Sequence, residues 1–195
     1  MSRVLLLGLL LASGSSLAQG YYGMTRHSPT PAWLPRSVFL GTGLAQDTVT
    51  PLGRLGWEIT LNQQRGDALV VVGELGGGAA AVTSQRVGLY GSDRVESLRH
   101  GLAAVGIAYR GDRGPWNWGV HATVGPLWYH ARLSTLPTEN YVVGWIEGRA
   151  QIGYRIGKVA TGISLGYGSG FSEPVRSYTY RFTGGLMLGL YANWR

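Results

Sequence analysis

His121 and Thr123 lie two residues apart in a stretch of alternating apolar residues, so a strand would set both side chains on one face. A hydroxyl beside an imidazole is the start of a nucleophile and its general base. That chemistry also needs an acidic residue to orient the imidazole, and no spacing in the chain assigns one. The other histidines, His27, His100 and His130, are scattered without metal-ligand spacing. There is no cysteine, which excludes disulfides, a thiolate nucleophile, a thiolate metal site and a lipid anchor on Cys. The glycines match no phosphate-binding loop. We therefore expect no catalytic residues, no cofactor and no metal.

A second set of residues could do electrostatic work. Arg54, Glu58, Glu74, Arg86, Arg110, Glu147, Arg149 and Arg155 occupy the less bulky face of alternating segments. If that face lines a narrow interior, opposite charges there must pair, because a poorly solvated lone charge is expensive. The plain reading is a polar network that fills a lumen. The sharper one is a conduit or gate for small solutes.

The composition narrows what could position these residues. The 195 residues suffice for one domain, and only 14 % are charged, against about 25 % in an average soluble domain. Glycine numbers 32, more than twice its usual ~7 % share. Mean hydropathy is nevertheless near zero, which excludes a bundle of membrane helices. Strands that are apolar on one face only average out this way. The net charge is +7, but Lys158 is the single lysine and the arginines are dispersed, which argues against a nucleic-acid patch.

Residues 1–18 have the form of a secretory signal: Arg3, then an apolar Val4–Ala12 run too short to span a bilayer, then small residues at Ser16 and Ala18. Residues 19–52 form an expected periplasmic arm, rich in proline at first, with a possible extra strand at Ser37–Gln46. Residues 53–195 form the expected barrel. Its strands are Arg54–Asn62, Ala68–Leu75, Ala79–Tyr90, Leu98–Arg110, Pro115–Arg132, Val143–Ile156, Val159–Tyr167 and the closing Arg181–Arg195, with Gly76-Gly77-Gly78 as a tight turn. That gives eight strands, or ten if the arm contributes.

Period two does not say which face is outside, since a secreted ligand-binding barrel shares it. Two features point the bulky face outward. The other face is small in three strands (Ala104, Gly106, Ala108; Ala160, Gly162, Ser164, Gly166; Thr183, Gly185, Gly189), which suits a crowded lumen better than a solvated surface. Trp116 and Trp118 also stand ~10–12 residues from Trp128, roughly 25–30 Å of height on tilted strands. With Trp194 they make a candidate aromatic girdle.

On these residues the chain resembles the small outer-membrane β-barrels of the OmpA and OmpX type, from Gly53 to Arg195. The closing strand resembles the class's assembly signal, with the departure that Arg195 follows the aromatic Trp194. The resemblance implies an antiparallel up-and-down transmembrane β-barrel of all-β class, residence in the bacterial outer membrane after export, contact with the lipid bilayer, and recognition by the barrel-assembly machinery. The His121/Thr123 pair is similar in spacing to that of outer-membrane lipid A deacylases. Those have Ser where Thr123 stands and carry their site on the outer wall, whereas this pair faces inward. The function expected is structural, in envelope integrity or surface contact, with a small porin-like pore or transporter as the alternative.

Overall fold

The computed structural model describes residues 33–45, 48–64, 66–81, 86–87, 93–171, 177–180 and 183–194. Nine strands are present among them: β1 (Ser37–Ala45), β2 (Thr48–Gln64), β3 (Asp67–Ala81), β4 (Arg86–Val87), β5 (Asp93–Arg113), β6 (Trp116–Leu133), β7 (Glu139–Ile156), β8 (Val159–Gly170) and β9 (Gly185–Trp194). Eight of them close into an antiparallel ring in the order β3-β2-β1-β9-β8-β7-β6-β5, and a ladder from Asp67↔Gly111 to Ala81↔Ser97 seals β3 to β5. The two-residue β4 pairs only with the outer end of β5.

The register fixes the barrel's dimensions. Stepping from Leu52 through Gly41, Gly189, Ser164, Gln151, Gly119, Arg110 and Ala68 returns to β2 at Gln63. That is 63 − 52 = 11 positions, or 10 once the bulged Leu61 between Thr60 and Asn62 is discounted. Eight strands with a stagger of 10 imply a tilt of about 43° and a backbone radius of about 8 Å. An interior that narrow is filled by side chains.

Three tight connections lie at one end, at 65–66, 114–115 and 157–158. Gly114 and Gly157 turn there with φ of +60° and +61°, which L side chains rarely adopt. The start of β1 and the end of β9 lie at the same end. The connections 46–47, 82–92, 134–138 and 171–184 lie at the other. Short turns mark the periplasmic end of such barrels and longer loops the outer end.

Polarity is inverted relative to a soluble barrel. Leu40, Leu55, Leu75, Val105, Ile107, Val124, Ile146, Ile152, Ile163, Leu165, Leu188 and Leu190 stand exposed on the outer wall. Arg54, Glu74, Arg110, Glu147, Arg149, Gln151 and Asn193 are buried in the lumen. The small residues Ala104, Ala108, Ala160 and Ser164 also face in, where they leave room for those long side chains.

Several sequence expectations are corrected. Ser37–Ala45 is a full barrel strand that pairs with both β2 and β9, so the barrel begins at Ser37 and not Gly53. Its pattern is weak because Gly41, Thr42 and Gly43 dilute the alternation of Phe39 and Ala45 inward with Leu40 and Leu44 outward. Gly76-Gly77-Gly78 is no turn. It continues β3 flat between its neighbours, where a Cβ on Gly76 would meet the Arg54 side chain and one on Gly77 the His100 carbonyl. Of the expected Ala79–Tyr90 strand, Ala79–Ala81 end β3 and Arg86–Val87 form the short β4, and its other residues lie outside the described residues. The strand count is eight, without the ten-stranded alternative. Residues 1–18, most of the 19–36 arm, and Arg181, Phe182 and Arg195 of the expected closing strand lie outside the described residues.

Candidate functional site

The lumen is built in three layers. At the outer end it is apolar: Val95, Leu98, Leu102, Leu127, Tyr129, Val143 and Trp145 pack together, with Phe39 and Met187 below them. Alternation on β5, β6 and β7 sends these bulky side chains inward.

The middle layer is an ion cluster. Arg54 on β2 reaches Glu147 at 2.6 Å and Glu74 at 3.4 Å. Arg149 on β7 pairs with Glu74 on β3 and, through Nε at 3.0 Å, with Glu147. The four side chains are 1–6 % exposed. Two cations and two anions make the cluster neutral, and the remaining valences are used. Trp145 Nε1 donates to Glu147 Oε2 at 3.1 Å, Arg54 donates to the Met187 sulfur at 3.2 Å, and the Arg149 guanidinium lies 5.2 Å from the Phe39 ring centre. A buried cluster survives only if it is this well satisfied. It joins β2, β3 and β7 straight across the lumen.

The periplasmic layer is polar as well. Arg110 pairs with Glu58. Arg155 donates to Asp112 at 2.9 Å, Asn117 donates to the same carboxylate at 2.8 Å, and Tyr191 donates to Asn117 Oδ1 at 3.0 Å. Cavities of about 20 Å³ and 10 Å³ lie above and below the Arg54 guanidinium. Each has room for about one water molecule.

Seven of the eight charged residues anticipated in the lumen thus belong to these pairs. Arg86 falls in β4, and its side chain lies outside what is described. Sequence reasoning missed Asp112, Trp145 and Met187. Asp112 sits in what reads as a turn, and Trp145 breaks the rule that bulky residues face out.

His121 and Thr123 do share the inward face, but no hydrolytic site is assembled. The Thr123 hydroxyl has no hydrogen-bond partner among the described residues, and the side chain that addresses the His121 imidazole is the Gln151 amide, not a carboxylate. The register sets His121 opposite Arg149, a cation that cannot serve as an acidic orienter.

Two carboxylates anchor the outer loops. Asp93, at the tip of β5, accepts from Ser134 and from the amides of Arg94, Thr135 and Leu136. Burial alone would raise its pKa, yet those four donors together hold it below the usual 3.8. Glu139, at the start of β7, accepts from Ser177, from the Tyr178 and Thr179 amides and from the Thr179 hydroxyl.

On the outer wall Trp116, Trp118 and Trp194 lie toward the tight-turn end, with the Tyr154 ring 5.9 Å from that of Trp116 and the Tyr109 ring 5.5 Å from that of Trp118, centre to centre. Trp128 lies toward the outer end, stacked with His130 and donating to Asn140 at 2.5 Å.

A closed eight-stranded ring, an apolar outer wall and a lumen filled by paired charges define the chain as a small β-barrel with the inverted polarity of a membrane-spanning one. Among solved structures it is similar to Ail, the attachment invasion locus protein of Yersinia pestis, at 9 % identity and a TM-score of 0.44, over 81 % of this chain and 94 % of that one. No family model and no curated protein matches. The class stands on the barrel's own register and polarity.

Proposed function

We propose that this protein is a non-conducting, non-enzymatic barrel with a structural role in the outer membrane, in envelope integrity or in surface contacts made by its anchored outer loops. The observation that carries this reading is the cluster of Arg54, Glu74, Glu147 and Arg149 across the lumen, with space for only about one water on either side. Export through a cleaved signal at 1–18 and insertion by assembly machinery that reads β9 belong to the same reading. So do Trp116, Trp118 and Trp194 at one membrane interface and Trp128 at the other, since amphipathic rings favour the headgroup level.

Conductance in a planar bilayer tests it. Insertion of the refolded mature chain with no discrete current steps is the expected result. Reproducible steps would replace the structural role with a small pore, and would make the inward Arg and Glu residues its filter.

A further inference from the structure

The smaller lumen cavity, about 10 Å³ below the Arg54 guanidinium, is walled in part by groups that the ion cluster leaves unanswered. Arg54, Glu74 and Arg149 contribute one side of it. His121, Gln151 and Asn193 line it from β6, β7 and β9. These three residues are 9 %, 8 % and 5 % exposed, so bulk water does not solvate them.

What the wall lacks is acceptors. Gln151 Nε2 and Asn193 Nδ2 have no hydrogen-bond partner among the described residues, and neither does Arg110 Nε. The Arg110 and Gln151 side chains stand together over Gly119, 3.3 and 3.1 Å from where its Cβ would be. Amide and guanidinium nitrogens donate and do not accept. The nearby carboxylates are committed elsewhere, Glu74 to Arg54 and Arg149, and Glu58 to Arg110. A donor buried without an acceptor is expensive to keep, so the cavity calls for a ligand that accepts.

Size and sign select that ligand. The cavity has room for about one water, which excludes phosphate, sulfate and carboxylic acids. A water accepts from two donors and then needs acceptors for its own two hydrogens, which these nitrogens do not offer. A monatomic anion accepts from every donor that reaches it. Two guanidinium groups and one carboxylate stand on the wall, so the local charge favours an anion.

We infer that this cavity binds one halide ion, chloride in ordinary salt, between the Gln151 and Asn193 amides and beside Arg149. Bound there, the ion joins β7 to β9 across the lumen, a link that no ion pair makes among the described residues. The site goes beyond the structural role proposed above and does not depend on it, because occupancy is read in detergent and without current.

Urea unfolding of the folded full chain in mild detergent tests the site, with sodium gluconate exchanged for sodium chloride or bromide at fixed ionic strength. Gluconate is too large to enter and sets the baseline. A ligand that binds only the folded state multiplies the folded-to-unfolded ratio by one plus its concentration over its Kd. That ratio is therefore expected to rise about tenfold for each tenfold increase in halide above the Kd. Gln151→Glu supplies the negative charge covalently and is expected to remove the halide dependence. Asn193→Asp is expected to do the same, and serves if the first variant does not fold. Crystals of the native chain grown in bromide need no variant, and are expected to show an anomalous peak between Gln151 and Asn193. Equal stability in gluconate and in halide, which a cavity holding only water predicts, would overturn the inference. So would a halide dependence that survives in either folded variant, or bromide peaks only elsewhere.

Discussion

At the scale of single residues, the lumen cluster is the place where one atom matters most. Glu147 receives Arg54, Arg149 and Trp145 at once, and its side chain is 1 % exposed. Glu147→Gln leaves two guanidinium groups sharing Glu74 in a low-dielectric interior. Loss of one partner from a buried pair costs about 3–5 kcal/mol. We expect reversible urea unfolding from lipid vesicles to show a loss of that order, and Arg54→Met/Glu147→Met together to lose less than the two single changes summed. Strict additivity would show that the two charges do not interact. Outside the membrane, Asp93 makes a pH-dependent anchor. Its folded pKa is depressed, so the anchor is fully present above the unfolded value of 3.8. It persists somewhat below that value and is lost as pH falls through the folded pKa. The amide resonances of Thr135 and Leu136 should therefore hold their positions from neutral pH down to about 4 and move only in stronger acid. Asp93→Asn should place them at their acid positions at every pH. That the inward charges would pair was legible in the sequence, because alternation and charge sign suffice for it. Which cation meets which anion was not, since Arg54 and Glu147 are 93 residues apart and meet only through the stagger of the barrel.

At the scale of the element, β3 shows how glycine can mislead. Three consecutive glycines read as a turn when only local backbone freedom is weighed. In the barrel they mark a strand pressed against its neighbours. The two readings have different consequences for substitution. Gly77→Ala would drive its methyl group into the His100 carbonyl, a backbone atom that cannot rotate away. Gly101→Ala would make only an ordinary contact at 3.6 Å with Trp128. We expect Gly77→Ala to destabilise the barrel by about 1–3 kcal/mol, the usual cost of overpacking. Gly101→Ala should stay within about 1 kcal/mol, because alanine also relieves part of the entropy that glycine loses in a strand. Thermal unfolding followed by gel mobility separates the two. A Gly77→Ala barrel as stable as the native one would mean that the triple glycine is tolerated and not required. The strands β6, β7 and β8 were legible nearly to their ends, because each alternates bulky with small or polar residues over twelve or more positions. β1 was not, because glycine and threonine in its middle erase the contrast that alternation needs.

At the scale of the whole molecule, eight was recovered from the sequence for partly wrong reasons. Splitting β3 at its glycines added a strand, and assigning Ser37–Ala45 to the arm removed one. With β1 counted, the short 65–66 connection falls at the short-turn end. Closure is a global property, and no window of sequence contains it. What the sequence does carry is polarity, and polarity fixes where the bilayer must sit. Val105 lies on the outer wall near mid-height, 49 % exposed, about halfway between the tryptophans of the two ends. Val159 lies beside the 157–158 turn, 42 % exposed, next to Trp194 in the register. Solvent exposure is therefore alike at the two sites and only depth differs. In water an outward arginine would cost little at either. In a bilayer, Val105→Arg should cost about 2–4 kcal/mol and Val159→Arg about 0–1 kcal/mol. Unfolding of both variants from phosphatidylcholine vesicles measures the difference. Equal costs would mean that the apolar wall is not the membrane face, since a depth-independent penalty can arise only from local packing.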